Sequence, residues 1–221
     1  DILERHKKIK NKDELDELLD ILSSSIGSLT NPLKLSKTFK SIKNKTISDK
    51  TISNYIGYFE DSFLISKAKR YDVKGKRYIN SPLKYYFEDI GLRNARLNFR
   101  QTEESHVMEN IIYNELKLRG YNVDVGIVEV YETDKKGKRN LKQYEVDFIA
   151  TQGDNKYYIQ SALEMNTEEK AKQERKSLVN INDSFKKIIV VKDDVKPRKD
   201  DNGITTIGIF NFLLKENSLD L

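Results

Sequence analysis

The chain changes its hydrophobic period after Phe63, and that change limits what its first part can fold into. Before Phe63, apolar residues recur at helical spacing; after it they alternate. Asp13 to Leu22 reads as a helix, with Leu15, Leu18, Leu19 and Leu22 on one face and Asp13 as its cap. Asn31-Pro32 opens a second helix, with Asn as N-cap and Pro at the first helical position. Ser48-Asp49 opens a third, whose Ile52, Tyr55, Ile56 and Phe59 share a face. Leu64 to Asp72 then reads as a strand, Val73-Lys74-Gly75 as a turn, and Lys76 to Asn80 as a returning strand. An aromatic segment, Tyr85-Tyr86-Phe87, leads into Gly91-Leu92.

Three helices followed by a basic hairpin is the element order of a winged helix-turn-helix. The remainder differs. Val107 to Arg119 reads as a helix stopped by Gly120. Strands follow at Tyr121 to Val125, Ile127 to Tyr131, Gln143 to Ala150 and Lys156 to Leu163. Thr167 to Leu178 is a polar helix, Lys187 to Val191 a buried strand, Ile204 to Ile209 another strand, and Phe210 to Glu216 a short closing helix. That order predicts an α/β domain with a mixed sheet. The expected division is therefore residues 1–91, a winged helix with a leading helix, and residues 92–221, a mixed-sheet domain.

Charge is unevenly placed. Residues 1–91 hold 18 Lys and Arg against 13 Asp and Glu, whereas residues 92–221 hold 22 of each. The whole excess of +5 sits in the first part, and residues 32–86 carry 13 basic against 4 acidic residues. A local field of that sign suits a phosphate backbone. No apolar run approaches the roughly 18 residues of a membrane span, and no signal-peptide pattern opens the chain. Cysteine is absent, which rules out a thiolate nucleophile or a zinc ribbon and fits a cytoplasmic protein. His6 and His106 have no metal-ligand spacing. The chain starts at Asp1 and its only methionines are Met108 and Met165, so it reads as a piece of something longer.

Two constellations can carry function. The first is the third helix, whose exposed N-terminal face offers Lys50, Thr51, Ser53 and Asn54 to base edges or phosphates of double-stranded DNA. The hairpin adds Lys67, Lys69, Arg70, Lys74, Lys76 and Arg77 as backbone contacts, which position a duplex without reading its sequence. The alternative is a docking module for a protein partner, its lysines serving solubility.

The second constellation is acidic. Glu145 and Asp147 lie two apart on a strand and so share a side. On the next strand Gln160, Ala162 and Glu164 share one, and Glu109 lies on the helix before them. Carboxylates converging at a sheet edge can hold Mg²⁺, which polarises a phosphodiester and activates water. The commoner fate of an isolated Glu-x-Asp is two solvated strand residues.

The run Glu145-Val146-Asp147-Phe148-Ile149-Ala150, a turn, and Tyr157-Tyr158-Ile159-Gln160-Ser161-Ala162 resembles the core of the PD-(D/E)xK, or restriction-endonuclease-like, fold. Met108 to Leu116 with Arg119-Gly120-Tyr121 resembles the helix before that core. More narrowly, Tyr55 to Leu64, Arg70 to Lys76, Lys84 to Asn94, the Glu109 helix and Glu145 to Phe148 resemble the C-terminal region of prokaryotic AAA-type ATPases with a DUF4143 domain. The resemblance implies Asp147 as a metal ligand, Gln160 in place of the second acidic ligand, Ala162 in place of the lysine, and Glu109 as the helix carboxylate. Two of these four positions depart from the pattern; Glu164 is a nearby carboxylate that could reach the site, but no lysine replaces the missing one, Lys142 and Lys156 lying near strand ends. The resemblance also implies an ATP-binding domain ahead of Asp1 as an intramolecular partner. No P-loop is present in this chain: Gly75-Lys76-Arg77 and Gly137-Lys138-Arg139 lack the Ser or Thr after the lysine.

The expected function is therefore a non-catalytic DNA-binding region of a larger ATPase, with no cofactor of its own, no membrane contact and an inactive nuclease-like site. Two alternatives stand beside it: a divergent nuclease needing Mg²⁺, and a regulatory module whose partner is a protein.

Overall fold

Asn31 and Ser48 do what their positions require. Each side chain accepts from a backbone N–H one turn into the helix it caps, Asn31 from Lys34 and Ser48 from Thr51. The computed structural model describes residues 2–6, 9, 11–100, 103–134 and 136–220. Its helices begin with α1 (Ile2–Arg5), α2 (Lys12–Ser24), α3 (Pro32–Lys43) and α4 (Asp49–Asp61). Asn11 rather than Asp13 caps α2, accepting from Glu14 N–H. Strands β1 (Ile65–Asp72) and β2 (Arg77–Phe87) follow. The aromatic segment at 85–87 is the end of β2 and not a separate piece. Helix α5 (Ile90–Arg96), which the sequence did not announce, precedes α6 (Glu104–Leu118). Then come β3 (Asn122–Thr133), β4 (Arg139–Gln152), β5 (Asn155–Ala162), α7 (Glu168–Val179), β6 (Lys186–Val191), β7 (Arg198–Lys199), β8 (Ile204–Gly208) and α8 (Ile209–Leu214).

The fold is mixed α/β with an eight-stranded mixed sheet in the order β2-β1-β3-β4-β5-β6-β8-β7. β3, β4 and β5 are antiparallel neighbours, whereas β1 runs parallel to β3, and β6 runs parallel to β5 and β8. The two strands expected between 121 and 131 form one strand. Gly126 lies at a register shift in the β3–β4 ladder, and a Cβ there would meet the Val146 Cβ at 3.0 Å. The glycine permits close approach at a bulge rather than ending a strand.

The chain divides into two compact units, and the division does not fall at residue 91. One unit comprises Asp1–Ala68 and Asn80–Asn110, the other Lys69–Ile79 and Ile111–Leu221. The reason is local pairing: Arg70, Tyr71 and Asp72 of the hairpin hydrogen-bond in register with Val125, Gly126 and Ile127.

In the first unit, the inner faces of α2, α3 and α4 pack Leu18, Leu22, Phe39, Ile52 and Phe59 against Ile65, Tyr85 and Phe87. Arg93 of α5 is fully buried and donates from Nε to the Ser23 carbonyl at 2.8 Å. Arg96 bridges Asp16 and Asp20 of α2. In the second unit, Val128, Val146, Ile149, Tyr158 and Ile189 on the sheet pack with Leu178 of α7. Among the described residues, no helix is long and apolar enough to cross a membrane.

Candidate nucleic-acid interface and nuclease-like site

The α3–α4 pair of the first unit has one buried and one exposed side. Leu35, Phe39, Ile52, Tyr55, Ile56 and Phe59 point inward. Lys50, Ser53 and Asn54 of α4 are exposed. Thr51 is only half-exposed, and its hydroxyl is engaged with the Ser48 hydroxyl at 2.8 Å in the cap. Helix α3 contributes cations that the residue-by-residue sequence reading had passed over. Lys37, Lys40 and Lys43 are exposed and have no ion pair among the described residues. Thr30, between α2 and α3, forms an antiparallel bridge with Leu83 of β2 through two backbone bonds of 2.8 and 2.9 Å.

The six hairpin cations do not behave alike. Lys67, in the first unit, is exposed and pairs with Glu60 at 3.1 Å. The other five lie in the second unit. Lys69 sits 5.6 Å from the Tyr78 ring centroid. Arg70 is only 8% exposed, its Nε has no hydrogen-bond partner among the described residues, and it cannot serve as a surface phosphate contact. The β pleat places it on the face shared with Ala68 and Asp72, which are buried too. Lys74 donates from Nζ to the Glu129 carbonyl at 2.7 Å, and Lys76 is exposed. Arg77 lies 3.5 Å from Asp72 with its side chain 75% exposed. In the turn itself Lys76 takes the left-handed conformation. Gly75 is needed for another reason: a Cβ there would meet Asp72 Oδ2 at 2.2 Å, and that carboxylate accepts from Gly75 N–H.

The carboxylates of the nuclease-like pattern are placed as follows. Glu109 belongs to the first unit, where its Oε1 accepts from Lys84 Nζ at 2.8 Å and from the Tyr86 hydroxyl at 2.6 Å. Asp147 is buried in the second unit, and its Oδ2 accepts from Ser161 N–H at 2.8 Å. The β4–β5 ladder ends at the Phe148–Ile159 pair, so the carboxylate supplies the acceptor that β4 no longer presents to Ser161. The Gln160 side chain accepts from Asp147 N–H at 3.4 Å and donates to Glu174 Oε2 of α7 at 3.3 Å. Burial holds the Glu174 carboxyl above the usual carboxylate range, opposed in part by that hydrogen bond. Ala162 is packed in the apolar cluster with Leu178, Ile189 and Val191. Glu164 lies past the end of β5, exposed, with its carboxylate on Lys170 and Asn166. No group of three or more metal-ligating side chains occurs among the described residues.

Residues 1–103 match DUF8612, a domain of unknown function. An uncharacterized protein of Haemophilus influenzae is 34% identical over 94% of this chain and 47% of its own length. The uncharacterized protein MJ1544 of Methanocaldococcus jannaschii is 32% identical over 78% of this chain and 36% of its own length. The chain thus spans half or less of the curated relatives it matches. A crystal structure of protein VC1899 from Vibrio cholerae overlaps 91% of this chain and 54% of that one at 16% identity, with a TM-score of 0.34. That overlap is too low to assign a fold.

These matches correct the expected family. The profile that fits is DUF8612 and not DUF4143, and the relatives are uncharacterized proteins, not C-terminal regions of AAA-type ATPases. The expected ATP site and partner ATPase domain rested on that resemblance alone. The segments that suggested it, such as Glu145-Val146-Asp147-Phe148, are short alternating runs that many half-buried strands carry.

Glu174 escaped the sequence reading because it reaches Gln160 only across the β5–α7 connection. Tyr131 and Arg139 escaped it as well. They lie on the two strands of the β3–β4 hairpin beside its connecting loop, where Arg139 Cζ stands 4.7 Å from the Tyr131 ring centroid. The signal that locates Glu174 is helical spacing: Glu174 falls three residues before Ser177 and four before Leu178, both buried on the inner side of α7.

Proposed function

We propose that this chain is a DNA-binding module, a winged helix followed by a nuclease-like domain that does not cleave, working in the cytoplasm. The observation that carries the reading is the α3–α4 pair with the Thr30–Leu83 bridge. Helix, bridge strand, two helices and a hairpin is winged-helix order, and here the exposed side is basic. Lys37, Lys40, Lys43 and Lys50 face solvent with no carboxylate paired to them among the described residues, so their charge is available to phosphates. Ser53 and Asn54, on the outer face of α4, are the residues able to reach base edges. Within the nuclease-like domain, Asp147 has a structural task at the end of the β4–β5 ladder, and Ala162 offers no charge.

Fluorescence anisotropy with a labelled duplex tests the reading. Changing Lys37, Lys40 and Lys50 together to Glu weakens binding by about tenfold or more, through three lost phosphate contacts. Wild-type affinity in that variant would remove the reading and favour a protein-docking role.

A second reading, a divergent Mg²⁺-dependent nuclease, is favoured by one observation. Gln160 links Asp147 to Glu174, so α7 brings a carboxylate to the position where β5 lacks one. Incubation of plasmid with Mg²⁺ or Mn²⁺ separates the two. Cleavage abolished in Asp147→Asn and in Glu174→Gln would establish the nuclease; intact plasmid supports the non-catalytic module.

A further inference from the structure

The second unit has its own cleft, between the β1–β2 turn and the loop end of the β3–β4 hairpin. Lys74, Gly75 and Arg77 line one side, Glu129, Tyr131 and Arg139 the other. We propose that this cleft is a second seat for the DNA phosphate backbone, with Arg139 as its principal contact. The proposal rests on the DNA-binding reading and extends it to residues that reading does not use.

Arg139 is exposed and has no carboxylate partner among the described residues. Its guanidinium lies over the Tyr131 ring, 4.7 Å from the centroid. An arginine supported by an aromatic ring loses less freedom when it meets a phosphate. Tyr131 is 61% exposed, so the pair is a surface device and not part of a core. Opposite it, Lys74 is anchored by one hydrogen bond to the Glu129 carbonyl, which leaves two donors on its ammonium group.

Two carboxylates also line the cleft, against its three cations. Asp72 accepts from Gly75 N–H and pairs with Arg77, and Glu129 accepts from Gln143 at 3.0 Å. In the β3–β4 loop, Asp134 turns inward and accepts from Lys136 N–H and Lys138 N–H at 2.9 Å each. Those backbone bonds hold its carboxyl below the usual range. Lys76, Lys136 and Lys138 remain exposed on the two turns around the cleft. The cleft thus presents three cations, Lys74, Arg77 and Arg139, in a concave surface, which fits a backbone phosphate and reads no sequence.

The test is duplex binding by the full chain, measured by anisotropy for two unrelated sequences. Arg139→Glu weakens both by about tenfold and lowers the salt slope by about 1. Tyr131→Phe keeps the ring and binds as wild type, whereas Tyr131→Ala weakens binding about threefold, because the arginine loses its support. Both positions are exposed, so thermal melting of each variant stays at the wild-type value and separates binding from folding. If Arg139→Glu binds as wild type while the Lys37, Lys40 and Lys50 variant is weakened, this cleft is not a DNA seat and the first reading stands. If wild-type protein binds neither duplex, both fail.

Discussion

Lys84 and Glu109 form an ion pair of 2.8 Å with both side chains buried, and the Tyr86 hydroxyl donates to the same Glu109 oxygen. The pair joins β2 to the first turns of α6 within one unit. Breaking it from either side leaves the other buried charge without this partner. Lys84→Met or Glu109→Gln costs about 3–5 kcal/mol in urea unfolding. The double variant Lys84→Met/Glu109→Leu recovers most of that loss, since both charges leave together. A double variant as unstable as the singles would show that packing, and not charge pairing, sets the cost.

Asp147 separates a structural from a catalytic role. Asp147→Ala leaves Ser161 N–H without its acceptor and costs about 1–3 kcal/mol. Asp147→Asn keeps an oxygen in place and retains most of that stability. Thermal denaturation of the two variants is the measurement. Equal losses would mean that the negative charge matters and not the acceptor.

Glu174 predicts a pH dependence with a definite sign. Its carboxyl is held above the ordinary range first by burial, so the folded chain holds that proton more tightly than the unfolded chain. The group favours folding below the unfolded carboxylate value, about 4.3, and that contribution is lost as pH rises through the folded value. Glu174→Gln is therefore more stable than wild type at pH 7, and the difference closes as pH falls below about 4. A gain independent of pH would contradict this.

Gly126→Ala tests the bulge. The added Cβ meets Val146 at 3.0 Å and Ile149 at 3.1 Å, both side chains being buried. Overpacking of this kind costs about 1–3 kcal/mol, read as a lower urea midpoint. An unchanged midpoint would mean that the ladder relaxes freely there.

Local chemistry made the helices legible. Asn31-Pro32 and Ser48 are caps whose function needs nothing beyond the next turn, and α3 and α4 begin where they indicate. Helix α5 was hidden because its burial falls on Arg93, a charged residue satisfied by a carbonyl 70 positions away. Arg70 shows the same limit: alternation turns it inward with Ala68 and Asp72, but two charged residues on a buried face do not look like a core in sequence. The mixed sheet followed from the strand pattern, whereas the capture of the hairpin by β3 depends on register between segments 55 residues apart. At the candidate site around Asp147, Gln160 and Ala162 were readable as departures from the expected pattern. The Glu174 contact was not, because it is made by packing of α7 on β5.

The measurement that reaches the central claim is the salt dependence of duplex binding by the unmodified chain. If Lys37, Lys40, Lys43 and Lys50 meet phosphates, log K falls linearly with log salt, by about 0.9 for each phosphate neutralised, so that four contacts give a slope near −3.6, on the order of a hundredfold loss between 50 and 200 mM. Absence of binding at 50 mM salt, or an affinity unmoved across that range, would contradict the account.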